Sequence, residues 1–337
     1  MKQYIAEICV ADTWHQGSVI AACLADAGHT VKAVANEADL SGFNRGNPPV
    51  HEPLLPELIT RNLEAGRLRF TTDIGEALAG AEFAYLSVDT PVAANDIPNV
   101  RPVEKLARSI GSNRSGDLAL IVTAQVPVGT TDILSRLVME PFPNYRCDFA
   151  HVPEFLRLGN AVELFRNPDR IVIGSNEEPV AARIAAIYEP LGRPIVRTSV
   201  RTAEMAKHAA NAFLATSISF ANEIADLCES LGADARDVER ILKLDPCIGD
   251  RAFLGPGLGF AGCTLGREVR TLQRLGHQHR VDTALVNGTW RINKRRPGIV
   301  PRRLQSALGT MEGRQVGILG PSYKAGTSTL RRATCDN

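Results

Sequence analysis

Cys263 lies in the stretch GLGFAGCTLGREV, Gly257 to Val269, between a Pro/Gly-rich loop (Phe253 to Gly257) and what reads as a helix start. A thiolate there would be a nucleophile. A second chemical signal is the turn Ala11-Asp12-Thr13-Trp14-His15-Gln16-Gly17, which follows a strand-like run and precedes a helical one. A dinucleotide fold puts three glycines at such a turn. The first makes the turn, the second lets the backbone approach the pyrophosphate, and the third lets helix and strand pack closely. Only Gly17 is glycine here. Trp14 takes the close-approach position, and Asp12 brings negative charge to the place of a pyrophosphate. The second strand, in VKAVANE, ends on Ala35 where an acid would meet the ribose hydroxyls, and Asn36 or Glu37 reaches that place only with a register shift. The candidate cofactor-binding set is Gly17, Thr13, Asn36 and Thr90. Two readings stay open: a dinucleotide held in the usual mode, or a fold that keeps its shape without its usual ligand.

The elements that must carry these residues alternate along the first half. Strands are expected at Tyr4–Ala11, Thr30–Ala35, Ala84–Val88, Leu118–Thr123 and Ile171–Gly174. Helices are expected at Ser18–Ala27 (closed by Gly28), Pro53–Ala65, Val103–Ser109 and Thr131–Leu137. Such alternation predicts a parallel, doubly wound α/β sheet. Near Thr198 the texture changes to an Ala-rich run without proline, and Thr202–Leu231 has helical spacing over a length unusual for a globular helix. It is expected to link domains or to form a dimer core. After Trp290 a basic linker, Arg295-Arg296-Pro297, leads to QVGILG (Gln315–Gly320), which reads as the first strand of another sheet.

The 337 residues imply two or three domains. Hydrophobic content of 44% and charged content of 22% are ordinary for a globular protein, and a net charge of +1 gives no pointer to nucleic acid or to an acidic membrane surface. No apolar run approaches the ~20 residues that span a bilayer. The N-terminal segment reads as a buried strand and a turn, not a signal peptide. Seven cysteines, odd in number and without a CxxC pair, favour a reducing, cytoplasmic setting and no metal site.

Several segments resemble the UDP-glucose/GDP-mannose dehydrogenase family, in order along nearly the whole chain. They are EPLLPELITRNLEAGRLRFTTD (Glu52–Asp73), VPVGTTD (Val126–Asp132), PEFLRLGNAVELFRNPDRIVIG (Pro153–Gly174), KHAANAFLATSISFANEIADLCE (Lys207–Glu229) and GFAGCTLGREVRTL (Gly259–Leu272). YKAGTSTLR (Tyr323–Arg331) looks like the beginning of the family's C-terminal motif. The resemblance implies a Rossmann-type domain over 1–197, a central helical dimerisation and substrate domain over 198–293, and the truncated start of a C-terminal Rossmann-like nucleotide-sugar domain over 294–337. It also implies a homodimer through the central helix, a UDP- or GDP-linked sugar as ligand, and a two-step, four-electron oxidation of a sugar alcohol to a carboxylate with NAD. The second step needs a thiol: a thiolate adds to the aldehyde, and the thiohemiacetal is oxidised to a thioester and hydrolysed.

Carried over residue by residue, the family's pattern is only partly present. Lys207 and Asn211 match its oxyanion-stabilising lysine and asparagine and share one helix face. Glu154 matches the first of two motif glutamates, and the second falls on Leu158. The water-positioning threonine is Gln125, and the arginine sent across the dimer is Cys247. Aligned without a gap, the family's cysteine falls on Thr264, its serine on Cys263, its lysine on Arg267 and its aspartate on Glu268. Cys263 is therefore adjacent to the nucleophile position, although Gly259 and Gly262 leave room for a one-residue shift. Lys207, Asn211, Glu154, Thr264, Glu268 and Cys263 form the candidate catalytic set. Phe253, Gly257, Gly259, Phe260 and Lys324 form the candidate substrate-binding set. Three readings follow. One is an NAD(P)-linked two-electron oxidoreductase, or an epimerase working through a carbonyl. Another is a catalytically inactive nucleotide-sugar-binding paralogue with NAD binding weak or lost. The third is a degraded gene product.

Overall fold

The structure, a computed structural model, describes residues 4–92, 98–114, 116–141, 146–261 and 264–319. They fall into two compact units, one comprising the residues up to Pro91 with Pro98–Lys207, the other comprising Val92 and the residues from His208 onward.

The first unit is built on eight strands: β1 (Glu7–Val10), β2 (Thr30–Val34), β3 (Leu68–Thr71), β4 (Phe83–Leu86), β5 (Leu118–Val122), β6 (Cys147–His151), β7 (Ile171–Ser175) and β8 (Ile195–Thr198). They lie in the order β3-β2-β1-β4-β5-β6-β7-β8. All pairs are parallel except β6 with β7, where Ala150 faces Ser175. This is the doubly wound, Rossmann-type sheet expected from the alternation, with β7 and β8 both running against the other six strands, a reversal that the alternation did not contain. Strand residues feed two cores in turn. Ile8 and Val10 of β1 join the first, and Cys9 and Ala11 the second. Ala119 and Ile121 of β5 join the first, and Leu118, Leu120 and Val122 the second. Burial on both faces is why these strands read as unbroken apolar runs.

The helix His15–Asp26 follows β1 and stops where Gly28 takes φ +101°. The helix Leu55–Glu64 begins from Leu54, a leucine at φ +67°. Thr130–Met139 is capped from a distance. Buried Glu204 accepts the Gly129 N–H at 2.6 Å, the Thr131 N–H at 2.9 Å and the Thr131 hydroxyl at 2.7 Å. Those donors are the ones a helix leaves orphaned at its start.

The long helix spans Val200–Leu231, close to the expected Thr202–Leu231. The second unit contains most of it, with helices Ala235–Lys243, Thr264–His279, Ala284–Arg295 and Ile299–Leu308. Polar groups stitch this unit together. Thr216 and Thr289 hydroxyls lie 3.0 Å apart, and Ser219 donates to the Thr289 carbonyl at 3.2 Å. Residues 314–319 carry no regular structure and are exposed, so the strand expected at Gln315–Gly320 is absent over its described residues. A strand exists only through a neighbour's hydrogen bonds, and no described residue pairs with this segment.

Candidate active site

The turn after β1 is drawn tight around Gly17. A methyl group on Gly17 would lie 1.7 Å from the Asp12 carbonyl oxygen and 2.6 Å from Ser87 Oγ. Ser87 Oγ itself donates to that carbonyl at 3.0 Å. This is the close helix–strand contact for which the third glycine is needed. The Asp12 carboxylate turns back on the loop and accepts the Trp14 N–H at 3.0 Å. Burial pushes this carboxyl above its ordinary range. The Trp14 N–H works against that rise, and nearby Asp89 adds to it. The Trp14 side chain is about half exposed. Thr13 and Thr90 are buried, and their hydroxyls donate to the Val34 carbonyl at 3.1 Å and the Gln125 carbonyl at 2.9 Å. Asn36 caps the helix Glu37–Phe43 through the Asp39 N–H at 2.9 Å and donates to the Asp39 carboxylate at 2.6 Å. Ala35 is buried.

Beside this turn, fully buried Glu52 collects three partners: His15 Nε2 at 2.7 Å, the Gly159 N–H at 2.8 Å and the Ala161 N–H at 2.7 Å. It ties the start of the first helix to the segment that carries Glu154. That segment holds a compact charged group. Lys207 Nζ donates to the Glu154 backbone carbonyl and lies 4.6 Å from the centre of the Phe155 ring. Arg170 sits 4.4 Å from the same ring. The Glu154 carboxyl is pushed up to about 7, by burial first, with the Lys207 charge opposing. A carboxyl titrating near neutrality can both give and take a proton at physiological pH.

In the helical unit Asn211 is buried, and its Nδ2 has no hydrogen-bond partner among the described residues. An amide N–H left open in a buried place is available to a ligand oxygen. His208 Nδ1 meets Glu268 Oε2, and Arg267 Nε donates to Glu268 Oε1 at 3.2 Å. All three side chains are buried. Thr264 is exposed and opens the helix Thr264–His279, so it is not part of an extended loop. Cys263 and Lys324 lie outside the described residues.

The loop before that helix is fixed by side chains. The Gly257 N–H donates to Asn222 Oδ1 at 2.8 Å, and its carbonyl accepts from Arg296 at 3.1 and 2.8 Å. Arg296 is anchored in turn by Asp226 at 2.6 Å. Asn293 bonds both the N–H and the carbonyl of Phe260, at 2.7 and 3.0 Å. Gly259 has φ +89°, and a methyl group there would lie 2.3 Å from Asn293 Oδ1. Phe253, partly exposed, lines a cleft of about 430 Å³ with Lys243, Arg251, Asp250 and Gly259. Among the described residues no group of three His, Cys, Asp or Glu side chains is disposed to hold a metal ion.

Sequence reasoning did not find Glu52, His15, His208, Phe155, Arg170, Asn222, Asn293 or Arg296. His208 carried a signal, since it follows Lys207 directly on an otherwise Ala-rich helix. Glu52 carried only that of an acid before two prolines.

A parallel sheet whose first strand turns into a helix over a close-packed glycine defines the dinucleotide-binding class of α/β proteins. Within that class the chain belongs to the UDP-glucose/GDP-mannose dehydrogenase family, whose NAD binding domain matches residues 6–192 and whose central domain matches residues 201–295. It is 36% identical to a UDP-glucose 6-dehydrogenase of Rhizobium meliloti, over 96% of this chain and 76% of that one. It is 34% identical to a UDP-glucose 6-dehydrogenase of Pseudomonas aeruginosa, over 97% of this chain and 74% of the relative. A solved UDP-glucose dehydrogenase from Pyrobaculum islandicum superposes with a TM-score of 0.94 at 34% identity, covering 98% of this chain and 78% of that one.

Proposed function

We propose that this chain is a nucleotide-sugar-binding member of its family that does not convert a sugar alcohol to a carboxylate. The observation that carries the reading is the set of groups kept for a ligand oxygen. Lys207 is held against the Glu154 carbonyl, and Asn211 keeps an open amide N–H one helical turn along. The position aligned with the nucleophile, by contrast, is Thr264. A threonine hydroxyl is a poor nucleophile without a dedicated base, and Glu268 on the same helix is engaged by His208 and Arg267. The ligand class is a UDP- or GDP-linked sugar, taken by the loop of Phe253, Gly257, Gly259 and Phe260.

The residues after β1 do not fit a pyrophosphate in the usual place, because the Asp12 carboxylate uses the Trp14 N–H and Ala35 offers no acceptor to a ribose. NAD binding is accordingly weak or lost. The Glu154 carboxyl, poised at about 7 beside Lys207, can exchange a proton with a sugar oxygen; a second reading, turnover that stops at a carbonyl, requires in addition that NAD still bind weakly and accept the hydride. The long helix exposes Phe213, Phe220, Leu227 and Leu231, an apolar row suited to a second copy of the chain, so the protein is a homodimer. Buried Cys9, Cys23, Cys147 and Cys228 are free, which supports a cytoplasmic setting, and no described helix is long and apolar enough to cross a membrane.

The test is a thermal-shift screen of purified protein with UDP-glucose, GDP-mannose, NAD and NADP, followed by mass analysis of products. A nucleotide sugar is expected to raise the melting temperature, and less so in Lys207→Ala. No uronate is expected, and Cys263→Ala is expected to change nothing. A uronate that disappears on Cys263→Ala would show that the loop has shifted and that the thiol is the nucleophile.

A further inference from the structure

We propose that the Asp12 carboxylate is a built-in anion that takes the place of a dinucleotide's pyrophosphate at the end of β1, and that its charge, rather than the bulk of Trp14, excludes the cofactor. This deepens the proposed reading of a nucleotide-sugar-binding chain with weak or lost NAD affinity, and rests on it.

Three observations converge on Asp12. Its carboxylate accepts the Trp14 N–H at 3.0 Å. That N–H stands at the N-terminus of the helix His15–Asp26, whose dipole attracts negative charge. The amide and the field that a phosphate would use are therefore already engaged by the protein. The Asp12 backbone is also fixed in place: its carbonyl accepts from Ser87 Oγ at 3.0 Å and lies where a methyl group on Gly17 would meet it. Finally, Asp89 lies near enough to act on the Asp12 charge, so a pyrophosphate would meet two acids at the mouth of the sheet. Trp14 is a weaker obstacle. Its ring is about half exposed and its side chain makes no cap bond at the helix start, so it is free to turn toward solvent.

The experiment is calorimetric titration of NAD into the wild type and into Asp12→Asn, Asp12→Gly and Trp14→Gly, with circular dichroism melts to establish folding. The wild type is expected to give no saturable heat up to about 1 mM NAD. Asp12→Asn removes the charge and keeps the shape, and it is expected to bind at least about tenfold more tightly than the wild type. Asp12→Gly also frees the Trp14 N–H and is expected to bind more tightly still. Trp14→Gly alone is expected to gain less than Asp12→Asn. Should Asp12→Gly fail to fold, the isosteric Asp12→Asn still decides. Micromolar binding by the wild type overturns the proposal. So does a Trp14→Gly gain that equals or exceeds that of the Asp12 variants, and so do folded Asp12 variants that bind no NAD. A nucleotide-sugar thermal shift measured on the same samples keeps the two ideas apart. If that shift persists while Asp12→Asn and Asp12→Gly stay inert to NAD, the carboxylate proposal fails and the sugar-binding reading stands.

Discussion

Replacing Glu154 by glutamine should make the protein more stable at alkaline pH and leave it nearly unchanged in acid. The carboxyl has an ordinary value of 4.5 and is pushed to about 7 in the folded chain by burial, which disfavours its charged form. Between those values the folded state holds a proton that the unfolded state has released. Stability therefore falls as pH rises through this window, and the full cost is present above pH 7. A displacement of this size corresponds to about 3 kcal/mol. Water reaching the partly buried group lowers the expected cost to about 2 kcal/mol. Glutamine keeps the shape and cannot ionise, so the variant escapes that cost. The Lys207 charge opposes the rise and is already contained in the value of about 7, so it adds no separate offset. The slope is therefore the signal. Trp14 lies in the sheet unit and Trp290 in the helical one, so a Trp290→Phe background lets fluorescence follow unfolding of the unit that contains Glu154. In urea titrations from pH 5 to pH 8.5, the advantage of Glu154→Gln should grow by about 2 kcal/mol. Parallel stability curves across that range would mean that Glu154 ionises as an ordinary surface acid, and the case for a carboxyl poised near neutrality would fall.

Glu204→Ala leaves the Gly129 and Thr131 N–H groups and the Thr131 hydroxyl without their acceptor, and a loss of about 3–5 kcal/mol is expected in urea unfolding. Leu54 holds φ +67°, a conformation that costs a leucine more than a glycine, so Leu54→Gly should raise stability by about 0.5–1 kcal/mol, read by the same method. Phe213→Asp with Phe220→Asp puts charge on the exposed row of the long helix; the unaltered chain is expected to sediment as a dimer and this variant as a monomer, read by sedimentation velocity.

Legibility in the sequence followed burial. Strands covered on both faces, such as LALIV in β5, read clearly as apolar runs, and the Ala-rich, proline-free stretch of the long helix was readable almost to its ends. The strands LRFT and CDFAH escaped because polar residues interrupt them: Arg69 stands exposed on β3, an edge strand, and Asp148 is only partly covered on β6. The reversed direction of β7 and β8 was not legible at all, since composition records that a strand is buried and not which way it runs. QVGIL had a strand's composition but no partner among the described residues, and composition alone cannot supply one. The site divides in the same way. Lys207 and Asn211 were singled out by the family resemblance, and their relation is local, one turn of a helix. Glu52 was not, because its amide partners lie at Gly159 and Ala161, brought close only by the fold.

The same distinction bears on Thr264 and on how much chemistry the chain retains. A hydroxyl at the nucleophile position needs a base within reach to do what a thiolate does unaided. Glu268 is the acid on its own helix, and by alignment alone it looks available. Its two oxygens are instead taken by His208 and Arg267, and all three groups are buried. A buried carboxylate paired on both oxygens is held by those partners, and removing it from them leaves charges unpaired in a poor solvent. Glu268 thus braces the helix that begins at Thr264 against the long helix. With that acid committed to packing, the groups we propose for a ligand are Lys207 and Glu154 of the first unit and Asn211 of the second. A lysine, an open amide and a carboxyl poised near neutrality can hold a sugar oxygen and exchange a proton with it. Under the proposed function this set binds a sugar, and its oxidation even as far as a carbonyl would need a hydride acceptor that none of these side chains supplies.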